Sequence, residues 1–236
     1  VEREGGAFVA AVRGDLRASV DCYDGWTVAD LARHVGQIHR WVTAIVAEQA
    51  TERTAMQTDD VADDDLADWL TDTVAGLVAA LAAADPEAQV WTISRTLRTN
   101  DFWRRRMALE TTLHRWDAQG AQGEADSVAG WLACEGLDET LRMYMAERLE
   151  GRDVGGAGER VGFDADGRGW TVRLHADGLE VSDGMGSPDA VIAGTPLDLW
   201  LLLCGRCDLD RLEVRGDQDA AALVVHAAAM VSGPAG

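Results

Sequence analysis

The sequence contains no lysine; all 21 of its basic residues are arginine. That absence removes Schiff-base and other lysine amine chemistry from the candidate mechanisms. Positive charge is scarce altogether, with 21 basic against 41 acidic residues and a formal net charge of -20. A field of that sign repels nucleic-acid backbones and anionic bilayer surfaces, so neither is an expected partner. Four cysteines in 236 residues are too few for a disulfide framework. Long apolar runs are missing as well. The longest near the C-terminus, Leu197 to Cys204, contains Asp198 and is far too short to span a bilayer. No positively charged segment leads into an apolar run near Val1, so no secretory signal is read there. The expectation is a soluble cytoplasmic protein.

What is present suffices for a real core: 47% of the residues are apolar, enough for one large domain or two small ones. Helical periodicity dominates the first two thirds. Phe8, Val9, Val12 and Leu16 mark a helix within residues 4–20, broken by Asp21 to Gly25. Thr27 offers a capping oxygen, with Asp30 as its reciprocal acceptor. From there Val28, Leu31, Val35, Ile38, Val42 and Ile45 carry a stripe to about Ala50. A polar stretch over 53–64 precedes a third helix, Leu66 to Ala84, which Asp85-Pro86 ends. Val90 to Thr99 reads as an extended crossing or part of a loop. Phe102 to Gln119 is a fourth helix, with Phe102, Leu109, Leu113 and Trp116 as its stripe. After a glycine-rich turn at Gly120 to Asp126, Ser127 to Leu149 is a fifth. These elements predict a four-helix bundle with one additional helix, spanning 1–152.

The glycine-rich stretch Gly151 to Arg160 places the domain boundary. Beyond it, short alternating segments at 161–163, 170–175, 179–181, 190–193 and 212–214 read as strands beside glycine turns. Thr195-Pro196 starts a short helix and Asp217 a last one. Residues 160–236 are expected to form a small α+β domain.

Within the fourth helix, Glu110 and His114 stand four residues apart and so lie one turn apart on one face. A carboxylate oxygen and an imidazole nitrogen at that spacing can hold a divalent ion. His34, beside Val35 on the second helix, can supply a third donor from the facing helix. Three protein ligands leave a position open, as in a catalytic site; zinc is favoured, and nickel, cobalt or iron accept the same donors. The competing reading is a weak surface salt bridge between Glu110 and His114. His39, five residues past His34, points about 140° away from it. It is expected to be exposed or to support a ligand from behind.

The segments GWTVADLARHVGQIHRW (Gly25 to Trp41) and ETTLHRWDA (Glu110 to Ala118) resemble the mycothiol-dependent maleylpyruvate isomerase family, within the DinB/YfiT-like metalloprotein superfamily. The resemblance covers nearly the whole chain. It implies an N-terminal DinB-like metal-binding bundle and a C-terminal domain akin to the sterol-carrier fold. It also implies His34, Glu110 and His114 as ligands of a divalent metal, with mycothiol as thiol cosubstrate. The implied chemistry is addition of a thiolate to an activated double bond, rotation, and loss of the thiol. In a transferase, the thiolate would instead displace a leaving group. An arginine from the C-terminal domain would clamp a substrate carboxylate. Arg206 is the nearest candidate, with Arg211 and Arg215 as competitors.

Other features have plainer readings. Cys204-Gly-Arg-Cys207 has a redox or zinc spacing, but Cys204 reads as a buried small hydrophobe. Arg104 to Arg106 could serve an anionic substrate or line a solvated face. Trp41 and Trp103 read as core filler or as a pocket border. Asp117 could orient a ligand histidine or lie at the surface. The leading expectation is an isomerase or S-transferase acting on a small electrophile, as a monomer or homodimer. The alternatives are a non-catalytic metal- or small-molecule-binding stress-response protein and a bundle whose polar residues are structural.

Overall fold

In the computed structural model, which describes residues 1–123 and 125–232, the predicted apolar stripes become four helices in the first unit. These are α1 (Glu2–Val12), α2 (Val28–Ala47), α3 (Leu66–Ala83) and α4 (Asn100–Gly120). The start of α2 is set chemically. The Thr27 hydroxyl accepts from the Asp30 amide, and the Asp30 carboxylate accepts from the Thr27 amide. Such a cap contributes about 1 kcal/mol. Helix α1 is shorter than its periodicity predicts. Past Gly14 the Asp15 carboxylate accepts from the Arg17 amide, and Val20 bonds back to Trp26, so the chain turns instead of winding on.

Phe8, Val12, Leu31, Val35, Leu66 and Leu70 meet in the core of this unit. Residues 63–83 are long and apolar enough to cross a bilayer by composition. Leu66, Leu70, Leu77 and Leu81 of that stretch are nevertheless buried in the protein. The 90–99 segment is a loop pinned by the bridge between Gln89 and Thr99. Trp91 from it packs on Trp41 and Trp103, with ring centres 5.3 and 6.2 Å away. Those two tryptophans are therefore packing groups. The Trp41 indole N–H goes to Thr54 and that of Trp103 to the Trp91 carbonyl.

Helix α4 differs most from its expected face. Glu110, Thr111, His114, Arg115 and Asp117 are buried, while Leu113 and Trp116 of the predicted stripe are only half-buried. A polar helix face turned inward must be fully partnered to be tolerated.

The second unit begins earlier than the glycine-rich boundary suggests. The chain divides at Ser127/Val128, not within 151–160. The helix expected over Ser127 to Leu149 forms as α5 (Gly130–Glu139), running into a π-helical stretch, Thr140–Glu147. It belongs to the second unit. Gly136 lies so close to the Trp200 indole that a Cβ there would sit 2.3 Å from the ring. Asp138 accepts from the Trp170 indole N–H and from Arg142. The glycine-rich stretch is a largely exposed connection within this unit, with Val154 and Gly156 buried.

The sheet holds β1 (Arg160–Ala165), β2 (Arg168–His175), β3 (Gly178–Asp183), β4 (Ala190–Gly194) and β5 (Glu213–Gly216) in the order β3-β2-β1-β4-β5. Only β1 and β4 are parallel. Val161, Phe163, Trp170, Val172, Leu174 and Ile192 bury one face, against α6 (Pro196–Leu203) and α7 (Gln218–Ala229). Pro196 sits in the first turn of α6 after the Thr195 cap, and Asp217 caps α7. Residues 233–236 of the expected C-terminal domain, and residue 124 of the expected turn, lie outside the described residues.

A buried ion pair ties α1 to α4. Arg115 Nε and Nη2 each lie 3.0 Å from Glu4 Oε2, and Arg115 Nη1 donates to Gln119 and to the Asp126 carbonyl. Arg115→Ala should cost about 3 kcal/mol, because it leaves the buried Glu4 carboxylate with only the exposed Arg3 as partner. The double variant Glu4→Leu/Arg115→Met should recover much of that loss. Urea unfolding followed by far-ultraviolet circular dichroism measures both.

Candidate metal centre

Three donor atoms converge where α2 faces α4. Glu110 Oε1 lies 3.1 Å from His114 Nε2 and 3.7 Å from His34 Nε2. All three ligand atoms lie within 4.8 Å of one another. Ligand atoms about 3.3 Å apart are what a tetrahedral ion with bonds of about 2.0–2.1 Å requires. The donor set and its spacing therefore fit one small divalent ion. The imidazole rings of His34 and His114 stand perpendicular, with centres 5.5 Å apart.

Two of the donors are held from behind. Asp117 Oδ2 accepts from His114 Nδ1 at 3.0 Å, which fixes the ring and directs Nε2 at the shared point. Asp117 is buried, so of its two expected roles the structure selects the orienting one. The second oxygen of Glu110, Oε2, is bound by Arg106 one turn before it, leaving Oε1 for the histidines. Arg104, by contrast, donates to the Leu81 and Ala84 carbonyls. Of the arginine cluster, Arg106 thus reaches the centre and Arg104 holds α4 to the end of α3.

Proton affinities follow from these contacts. Burial raises the Glu110 carboxyl, but Arg106, His114 and the hydrogen bonds from both histidines outweigh it and hold it well below the usual range. Burial lowers His114, yet Glu110 and Asp117 raise it above its ordinary value. The proton that His114 Nε2 shares with Glu110 lies where a cation would replace it.

The open side is at His34. A cleft of about 480 Å³, lined by Gly25, Trp26, Asp30, Arg33, His34 and Gln37, ends on this ring. Trp26 stands edge-on to His34 at 5.3 Å, Tyr23 packs on Trp26 at 5.0 Å, and Tyr23 is 6.0 Å from the His114 ring. Tyr23 and Arg106 were not singled out from sequence as parts of this centre. For Arg106 the signal was available: an arginine four residues before a glutamate on one helix. For Tyr23 there was none, because a loop carries it.

Residues 1–119 match the family described as mycothiol maleylpyruvate isomerase N-terminal domain, and residues 131–223 match the MDMPI C-terminal domain. The chain belongs to the mycothiol maleylpyruvate isomerase family. A crystal structure of the mycothiol-dependent maleylpyruvate isomerase, and one of a histidine-to-alanine mutant of it, share the fold. Each gives a TM-score of 0.63 at 14% identity, covering 91% of this chain and 90% of the other. No curated protein matches the chain.

The remaining sequence candidates lie elsewhere. Arg206 is in the second unit, just after α6, and donates to the Cys204 carbonyl. Arg215 pairs with Asp164 and Glu213. Cys204 and Cys207 are free thiols; Cys207 contacts the Asp198 carbonyl, and burial pushes its thiol pKa up, the reverse of an activated cysteine. His39 is not exposed. It is fully buried, with Nε2 3.0 Å from Thr111 Oγ1. The Thr111 hydroxyl gives its one proton to the Met107 carbonyl, so His39 Nε2 donates and Nδ1 is left a bare acceptor, without a partner.

Burial pushes His39 down to about 4 against the pull of Glu110, whereas the unfolded chain protonates it near 6.5. Between those values the unfolded state binds the extra proton, so stability is full above about pH 6.5 and falls as the pH drops toward 4. The loss is about 3 kcal/mol in all. Two other groups act at the ends of this window. The raised His114 works with the opposite sign near and above pH 6.5, where only the folded state holds its proton, and the depressed Glu110 begins to lose its contribution as the pH falls toward about 4.5. Urea unfolding of chelator-treated protein between pH 7 and 4.5 should show the slope, and His39→Gln should flatten it.

Proposed function

We propose that this chain binds one divalent ion, zinc first among the candidates, through His34, Glu110 and His114. We further propose that it uses this centre with mycothiol to isomerise, or to transfer the thiol to, a small electrophilic substrate bearing a carboxylate. The observation that carries the reading is the convergence of three donor atoms from two helices beside an open cleft. Family membership supports mycothiol as the thiol and isomerisation as the reaction.

A divalent ion at such a centre lowers the pKa of a thiol, so that it is a thiolate near neutral pH. The protein's own groups prepare for that ligand. Glu110 and Asp117 bring two negative charges, Arg106 one positive. A divalent ion would leave a single positive charge, which one anionic sulfur cancels. Asp117 keeps His114 in one orientation, and Arg106 keeps Glu110 from turning away. Trp26 and Tyr23 form an apolar wall beside the histidines, which limits water at the reacting sulfur. A cytoplasmic location fits, since mycothiol is useful only where thiols stay reduced.

Purified protein expressed with ample metal should carry close to one ion per chain, and His114→Ala should abolish it. Asp117→Asn should weaken the ion's binding about 10–100-fold in a chelator competition. With mycothiol, the loaded protein should convert maleylpyruvate or consume the thiol with a simple electrophile. Full metal content with no thiol-dependent turnover on any of these would favour the binding-protein reading. Absence of metal would overturn the centre itself.

A further inference from the structure

The face of the sheet opposite α6 and α7 carries a second, differently built cleft. It measures about 530 Å³ and lies over β1, β2 and β3, with Arg160, Thr171, Arg173, Glu180, Ser182 and Ser187 among its walls. Its volume is in the range of small-ligand sites. Arg160 of β1 and Arg173 of β2 are register partners, directly opposite one another. Like charges in that relation repel. Among the described residues neither guanidinium has a hydrogen bond or ion pair, although the chain has almost twice as many acidic as basic residues.

Neither nearby carboxylate, Glu180 or Asp189, pairs with these guanidiniums. Glu180, opposite Arg173 on β3, turns to within 3.5 Å of His175 Nε2. Asp189 accepts from the backbone amide of Arg160, not from its side chain. The wall facing the arginines is fixed. Residues 184–188 fold back over the sheet, and Met185 fills the space above Gly162 and Gly169, where a Cβ would come within 2.7 and 2.8 Å of it. The Thr171 hydroxyl donates to the Gly184 carbonyl and anchors the start of that loop.

We propose that this cleft binds a small molecule bearing a phosphate group. The two guanidiniums take the dianion, since paired arginines match phosphate oxygens bidentately. The Ser187 hydroxyl bonds a remaining oxygen. Bound anion cancels the repulsion between Arg160 and Arg173.

Calorimetric titration of the full chain with inorganic phosphate, at low ionic strength and against a chloride-matched blank, tests this. One saturable site is expected, weakened about tenfold or more by Arg160→Gln and by Arg173→Gln, because each removes a charge-assisted pair. Arg215→Gln, on the same face outside the cleft, should leave affinity within about twofold. Thermal unfolding without phosphate should show both cleft variants at least as stable as the parent, which establishes that they fold. A sugar phosphate should bind at least as well as free phosphate, and succinate less well. No saturable binding, equal affinity in the arginine variants, or preference for succinate would overturn the proposal.

Discussion

The first unit is arranged around one difficulty: a carboxylate, that of Glu110, ionised inside a helical bundle. Removing such a charge from water costs several kcal/mol unless partners surround it. Here the two oxygens are divided. Arg106 binds one, and His114 and His34 face the other. The same division brings donors from α2 and α4 to one point. Neutralising the buried charge and converging three possible metal donors are thus a single structural solution, and the inward polar face of α4 follows from it.

Part of this was legible in the sequence because it is local. The reciprocal pair Thr27 and Asp30 fixes where α2 begins, and therefore which way His34 faces; the four-residue step from Glu110 to His114 fixes their common side. The strands of the second unit were legible from their alternation, and the Thr195-Pro196 and Asp217 starts from their capping chemistry. What the sequence concealed depends on neighbours distant along the chain. His39 reads as an ordinary polar position on α2 and is buried only because Thr111 of α4 meets it. Tyr23 sits in a loop with no period to betray its direction.

The misplaced boundary has the same cause. Glycines at 151–160 announce a flexible connection, but they cannot say which side a preceding helix packs on. That is decided by shape: Gly136 admits the Trp200 indole, and Asp138 receives Trp170 and Arg142. These contacts bind α5 to the sheet unit, although its buried Leu132 and Leu137 would also suit a bundle.

The pairing of Glu4 with Arg115 has a practical side. Arg115 is the next residue after His114, so the chain's opening helix is latched one peptide bond from a histidine of the candidate metal centre. An affinity tag or cleavage scar that unseats α1 would loosen the histidine as well. Preparations differing only at their leading residues could then differ in how they hold an ion.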